Sequence, residues 1–397
     1  MSVAVAIREQ TTAPARSAEP PFSIEMLEGR EAFNALEKEW NAGLARGPRD
    51  EPMLRHEWLR AWIENFSPGA PLRTFVARTG RELHVAIALV EEERRDADTC
   101  YLPMRTWGTP HNDHSQRGGV LLGRRGKEVL PLVWEKIAAT EGWDRLRIRD
   151  LPHGALEWKL RDLAEAAGFP CGLWSSLRSP YLPLPGPYEK VEAQLDGKFR
   201  QNLRRRRRRL AEHGEVKYVQ IAGKDARELD CALADFFVIE ASGWKGRGGT
   251  AIAQRPELVG FYTQIARDAA RRGALALGFL EVKGRRIAAH LSLLHAGRHY
   301  LLKLGYDESF HEHSPGQQLT SEAIRDSCAR GLLEFDFLGP CMDWKLDWEP
   351  LLRAHTWLTI FRPTRTGSLV HEARFTAWPV ARAVARRIRS ALRRGED

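Results

Sequence analysis

The chain has 397 residues, 43% of them hydrophobic, which is enough for a large core and, at roughly 100–200 residues per domain, for two or three domains. Its net charge of +9 and pI near 9.5 favour an anionic partner: nucleic acid, an anionic membrane surface or a phosphorylated small molecule. Five cysteines, odd in number and without a Cys-x-x-Cys pair, speak against a zinc site or a disulfide framework, and no apolar run approaches the ~18 residues of a membrane span.

Residues 1–20 hold too short an apolar stretch for a secretory signal and read as a disordered lead. From Pro21 the periodicity gives a strand at "FSIEML" and helices at "REAFNALEKEWNAGL" and "RHEWLRAWIENF". "LRTFVART" and "ELHVAIALVEEE" form a hairpin turning at Thr79-Gly80. A helix at "GKEVLPLVWEKIAATEG", a strand at "WDRLRIRDL", a helix at "ALEWKLRDLAEAAGF" and an extended "LWSSLRSPYLPL" lead to a linker marked by Pro185 and Pro187.

After the helix "KFRQNLRRRRRRLAEHG" a similar order returns. "VKYVQI" is a strand, two helices follow, and "ALALGFLEVKGRRIAAHLSLLHAG" is a hairpin turning at Lys283-Gly284. Then come the strand "RHYLLKLGY", the helix "SPGQQLTSEAIRDSCARG", the strand "LLEFDFLG" and a closing strand "LLRAHTWLTIF". The two hairpins align without a gap: Phe75 falls on Phe279, Gly80 on Gly284, Arg81 on Arg285 and Ile87 on Leu291. We read residues 21–187 and 188–365 as tandem α+β domains, followed by a basic amphipathic helix over 366–397.

That element order resembles the GNAT acyltransferase fold, each unit a mixed, mostly antiparallel sheet flanked by helices. The stretches "EASGWKGRGGTAI", "YLLKLGYDESFHEHSPGQQL" and "LLEFDFLGPCMDWKLDW" look like the BioF2-like or CelD (BcsL)-type acetyltransferases, which are related to the FemABX transferases. The likeness covers residues 190–365 by motif and the first unit by architecture alone. It implies an acyl-CoA co-substrate, no metal, and a first domain that is degenerate as an enzyme.

The candidate site residues follow from the residues and this likeness together. In "HSPGQQL", Ser314 suits an N-cap and Gln317 completes a capping box, leaving an anion site at the helix start. Gly316 would let a ligand approach, and Gln318 follows. In the resembled fold this loop holds the acyl-CoA pyrophosphate, with a Gln/Arg-x-x-Gly-x-Gly/Ala signature; here Gly316 is its one glycine. Asp336 shares a strand face with Glu334 and Leu338, and a carboxylate among aromatics must be paired or functional. Lys345, between Trp344 and Trp348, is either a surface lysine or, as the likeness implies, a group that binds donor phosphate or an oxyanion. His290, beside Ser292, is either a core histidine or a general base. Lys303 projects nearby, and Tyr306 stands at a strand end before the anion loop. Glu240, Trp244 and Lys245 border a glycine-rich loop suited to an acceptor pocket.

The six arginines, Arg204 to Arg209, divide on a helical wheel. Relative to Phe199, the residues Leu195, Leu203 and Leu210 lie within ~40°, and Arg206 falls at about −20°, inside that stripe. Arg204, Arg205 and Arg208 point away. Lys198, Asn202 and Arg206 are therefore candidates for an anionic donor or acceptor.

The leading expectation is a cytoplasmic acyl-CoA-dependent acyltransferase, with a sugar or nucleotide-linked acceptor in polysaccharide (cellulose, exopolysaccharide) or envelope metabolism. It allows peripheral contact of the basic tail with an anionic membrane. The rival enzyme takes aminoacyl-tRNA as donor. A third reading is a non-catalytic binder of nucleic acid or membrane on a decayed transferase fold.

Overall fold

The computed structural model describes residues 22–378 except 96, 244–247 and 250. The lead expected over 1–20, Trp244 and Lys245, and the part of the expected tail helix beyond residue 378 lie outside the described residues.

The first half begins with β1 (Ser23–Glu28), short helices α1 (Gly29–Asn34) and α2 (Glu37–Ala45), and α3 (His56–Phe66). Then come β2 (Leu72–Thr79), β3 (Glu82–Arg94), β4 (Met104–Gly108), β5 (Leu121–Leu122), α4 (Gly126–Ala139), β6 (Arg145–Pro152), α5 (Lys159–Ala166) and β7 (Cys171–Pro183). A connecting helix α6 (Tyr188–Gln194) leads to the arginine helix α7 (Gly197–Glu212). The second half runs β8 (Val216–Ile221), α8 (Ala226–Ala241), α9 (Pro256–Arg271), β9 (Leu275–Val282), β10 (Arg285–His295), β11 (Arg298–Tyr306), α10 (Pro315–Ala329), β12 (Glu334–Asp336), α11 (Asp343–Leu346), β13 (Leu351–Phe361) and α12 (Arg365–His371).

The halves repeat each other. In each, an antiparallel hairpin (β2–β3, β9–β10) is followed by a strand that runs parallel to the strand after the next helix: β4 with β6, and β11 with β12. The second hairpin turns where expected, and the first turns one residue later than expected, at Gly80-Arg81. Lys283 and Gly284 both take φ > 0 (50° and 76°), as a tight two-residue turn requires.

The strands form one sheet, in the order β1-β2-β3-β4-β6-β13-β7-β12-β11-β10-β9-β8, with β5 beside β3. The halves exchange their last strands. β7 pairs antiparallel with β12 of the second half, and β13 lies between β6 and β7 of the first. Leu358 and Ile360 of β13 join the core that β6 forms with α4 and α5. The strand "LLRAHTWLTIF" thus closes the sheet by entering the first half.

A second core joins the halves directly. Trp58 of α3 meets Phe261 of α9 edge-on, centroids 5.2 Å apart. The helices approach closely at Gly260, where a Cβ would fall 2.2 Å from the Asn65 side-chain oxygen. The helix expected over 30–44 is broken at Ala35 and Leu36 into α1 and α2. β4, α6 and α11 carry too little periodicity to have been read from sequence.

Candidate active site

Helix α7 starts on Asp196, whose carboxylate accepts from the Phe199 N–H at 3.0 Å. Its apolar stripe is Phe199, Leu203 and Leu210, with Phe199 edge-on to Trp348 at 5.3 Å; Leu195 ends α6 instead. Arg206 lies on that stripe, half-buried, and its guanidinium donates to the hydroxyl of Ser314. Arg204 pairs with Glu192 at 3.0 Å, Arg205 donates to Asn202 Oδ1 at 3.0 Å, and Arg207 pairs with Glu322 at 3.1 Å. Arg208 and Arg209 are exposed.

Ser314 opens α10, but the expected capping box does not form. Its backbone is left-handed, φ 49° and ψ 57°, and its side chain makes no capping bond. The N–H groups of Gln317 and Gln318 donate to the Ser314 carbonyl at 3.0 and 3.1 Å, so this turn satisfies most of its own donors. The Gln317 amide donates to the Trp344 carbonyl at 2.9 Å and Asp347 Oδ2 at 3.1 Å, and accepts from the Trp348 indole at 2.7 Å. Gln318 is buried and donates to the Leu203 carbonyl at 2.9 Å, tying α10 to α7. Gly316 packs against β11: a Cβ there would stand 3.1 Å from Leu304 and 3.3 Å from Tyr306. Its smallness serves that packing.

Between α7 and the start of α10 is a cleft of about 260 Å³. Lys198, Asn202, Arg206, Ser314 and Gln317, far apart in sequence, meet there with Asp196, Phe199, Leu203 and Asp347. Asp196 is occupied by the helix cap and Asp347 by Gln317. That leaves Lys198 and Arg206 as the cationic side chains facing the cleft. The arrangement suits an anion at its mouth and a polar, hydrogen-bonding group beside it.

The other candidates lie deeper. β12 pairs with β11 only as far as Asp336 and Tyr300, and the chain then turns through Leu338 (φ 52°) and Gly339 (φ 58°). β11 bulges at that level, opposite Leu291 and Ser292. Lys345 clamps the turn: its ammonium donates to the Leu338 carbonyl at 2.6 Å and the Pro340 carbonyl at 3.1 Å, and it is 6% exposed. It is thus no surface lysine. Trp344 is half-buried, edge-on to Phe337 at 6.1 Å.

Asp336 is fully buried and paired. Arg117 and Arg353 donate to it, the latter at 3.0 Å, and it accepts the Leu338 N–H at 2.9 Å. Arg117 comes from the first half's loop after β4 and also holds Glu51 at 3.1 Å. Burial pushes the Glu51 carboxyl up, but Arg49 and Arg117 outweigh it and hold it at about 2. The arginine of the loop "GTPHNDHSQRGG" thus braces the neighbouring half.

His290 is fully buried, hydrogen-bonded to Ser292 Oγ at 2.8 Å and to the Tyr218 hydroxyl at 3.1 Å. Burial pushes its pKa down to about 3. It does not line the cleft. Lys303 lies 5.6 Å from the centre of the Tyr262 ring, Glu240 is buried and accepts the Ile252 N–H at 2.9 Å, and the Tyr306 carbonyl accepts from Ser242 at 2.8 Å. None of these four lines the cleft. Missed from sequence were Arg117, Glu51 and Arg353, and the cleft's Asp196 and Asp347. Asp196, a helix cap before "GKF", carried a readable signal.

Residues 197–346 match the family of the acetyltransferase (GNAT) domain. The chain carries a GNAT-type acyltransferase domain, and the cleft's cationic helix begins where the match begins. Among solved structures the chain is similar to FemX: 11% identity, TM-score 0.56, covering 84% of this chain and 96% of that one. It is also similar to a conserved protein of unknown function from Bacteroides thetaiotaomicron, at 13% identity, TM-score 0.52, covering 82% and 97%. A third is the C-terminal domain of a chain assigned as a lysylphosphatidylglycerol synthetase from Agrobacterium fabrum, at 10% identity, TM-score 0.51, covering 87% and 96%. At these identities the likeness is one of fold. No curated protein sequence matches the chain. Among the described residues no group of three or more His, Cys, Asp or Glu is placed to hold a metal, and no helix is long and apolar enough to cross a membrane.

Proposed function

We propose that the cleft between α7 and α10 takes the phosphate-bearing end of an acyl-CoA, and that the chain transfers its acyl group to an amine or hydroxyl of a sugar or nucleotide-linked acceptor. The observation that carries this is the convergence of Lys198, Arg206, Ser314 and Gln317 on one cleft. A flexible pyrophosphate is an anion that such cations and hydroxyls recognise. The acceptor nucleophile would form the new C–N or C–O bond directly at the thioester carbonyl. The C–S bond then breaks, and the thiolate takes up the proton that the acceptor loses. No covalent intermediate on the protein is needed. The link to polysaccharide metabolism and a cytoplasmic setting rests on the likeness of the second half's motifs to CelD-type acetyltransferases.

A second reading keeps the cleft and changes the donor to aminoacyl-tRNA. The exposed Arg205, Arg208 and Arg209 and the fold shared with FemX favour it. Calorimetry decides. Saturable heat with acetyl-CoA or a longer acyl-CoA, lost in Arg206→Gln, supports the first reading. Heat with charged tRNA and none with any acyl-CoA supports the second.

A further inference from the structure

Helix α7 meets the segment that enters α10 at a second point. Beyond Arg206 and its contact with Ser314, at the end of the helix, His213 faces His313, the residue before Ser314. The two Nε2 atoms lie 3.1 Å apart, with ring centroids at 4.9 Å and planes inclined at 71°. Seven residues make nearly two helical turns, so His213 shares its side of α7 with Arg206. Neither histidine lines the cleft itself.

Both rings are held in place. His213 is the last residue of α7's coil, φ −76° and ψ −13°, and meets Phe310 edge-on at 6.0 Å. Phe310 in turn packs on the cluster that contains Leu210 and Leu319. His313 ends the 3-10 turn Glu308–His313 and is half-buried. Its Nδ1 is buried, so Nε2 is the nitrogen left to meet a ligand. His213 is exposed, so the pair is open to solvent from its side.

A neutral imidazole carries one N–H and one lone pair, so two facing Nε2 atoms share a single proton between them. A metal ion can take the place of that proton. At bonds of about 2.1 Å, two nitrogens stand about 3.4 Å apart on a tetrahedral ion and about 3.0 Å apart at neighbouring octahedral positions. The 3.1 Å separation lies between these values. The carbonyl end of α7, the negative end of its dipole, favours a cation at His213. Each histidine also follows an exposed glutamate, Glu212 and Glu312, and these offset the exposed Arg209 in the last turn of α7.

We propose that His213 and His313 chelate one divalent transition-metal ion of the Zn²⁺ or Ni²⁺ class, with water completing its shell. Both rings bind through Nε2 and keep their protons on Nδ1. The ion fastens the end of α7 to the residue before Ser314, and so ties together the two walls of the cleft, whichever donor that cleft takes. A pair falls short of the three or four protein ligands of catalytic and structural zinc sites, so this is an accessory site of weaker affinity.

Calorimetry on the full chain without a histidine tag tests it, with Ni²⁺, Zn²⁺ and Mg²⁺ as probes. We expect a saturable site of one ion per chain for Ni²⁺ or Zn²⁺, and none for Mg²⁺, which takes oxygen ligands. His213→Gln, at an exposed helix end, and His313→Gln should each weaken binding tenfold or more. His311→Gln, two residues from His313 and facing its own Glu308 carbonyl, should leave it unchanged. Binding should fall as pH drops through about 6.5, where imidazoles protonate. The bound ion should raise the melting temperature of the unaltered chain and not that of His213→Gln, whose melting temperature without metal should match the unaltered chain's. No saturable heat with either transition-metal ion, or binding unchanged in both His213→Gln and His313→Gln, overturns the proposal.

Discussion

The guanidinium of Arg206 donates to the hydroxyl of Ser314, joining the arginine run to the first turn of α10 across the cleft. An arginine on a buried stripe pairs with a carboxylate, lays its stem on apolar surface or reaches a ligand. A hydroxyl does not neutralise it, so its charge stays available to an anion. Arg206→Gln should change stability by no more than about 1 kcal/mol, the worth of one ordinary hydrogen bond. It should weaken acyl-CoA binding about 10- to 100-fold, the value of a charged hydrogen bond to phosphate. Replacing Arg204, Arg205 and Arg208 together should act mildly, and added salt should mimic it. Paired melts and titrations separate the two variants.

Much of this was legible because it is local. The 3.6 period of α7 placed Arg206 inward, and Phe199, Leu203 and Leu210 form the stripe the wheel predicted. The hairpins were legible because Gly80 and Gly284 punctuate period-2 runs. The failures are non-local. Ser314 looked like a cap, but Arg206, 108 residues away, claims its hydroxyl. Asp336 looked functional, but its partners Arg117 and Arg353 come from elsewhere in the sheet. Nothing in the period-2 pattern of β6 announced that Arg145 and Arg147 would be buried.

Lys345 should prove a positioning residue. Its ammonium satisfies two carbonyls of the turn after β12. Lys345→Met leaves the buried Leu338 carbonyl without that donor and should cost about 1–3 kcal/mol. A direct oxyanion role predicts instead a 10²–10³-fold fall in kcat with stability kept. Denaturation midpoints and kcat measured on the same preparation decide between them.

His290 should stay neutral throughout the working range. Its folded pKa of about 3 lies below the unfolded value of ~6.5. Protonation therefore favours the unfolded chain, and this contribution to stability is complete above about pH 6.5 and is lost as pH falls toward 3. The carbon-bound ring protons of His290 should not shift in NMR spectra between pH 5.5 and 8. An acid-side fall in kcat/KM with an inflection near pH 6.5 that disappears in His290→Gln would restore it as general base.

The Glu51–Arg117–Asp336 chain should tie the halves together and fail in acid. Glu51, at about 2, lies below its unfolded value of ~4.3. Its contribution is complete above about pH 5 and is lost as pH falls toward 2. Arg117→Met removes one of two arginine partners from each of two buried carboxylates, Glu51 keeping Arg49 and Asp336 keeping Arg353, and should cost up to roughly 3–5 kcal/mol. It should also flatten part of the acid dependence of the unfolding midpoint.

The exchange of β7 and β13 makes the two repeated units one folding unit. Leu358 and Ile360 of the last strand complete the first half's core, and β12 has β7 of the first half as its neighbour. Neither repeat can then bury its sheet alone. Leu358→Ala removes a buried side chain and should cost about 2–5 kcal/mol. Chemical denaturation should show one transition, with Trp134 of α4 and the second half's tryptophans reporting the same midpoint, and Leu358→Ala should move both equally. Residues 22–187 produced alone should lack the cooperative melt of the full chain, and adding residues 188–378 in trans should restore it. Two separated transitions in the intact chain, or a cooperative melt of 22–187 by itself, would mean that the exchanged strands only decorate two independent folds.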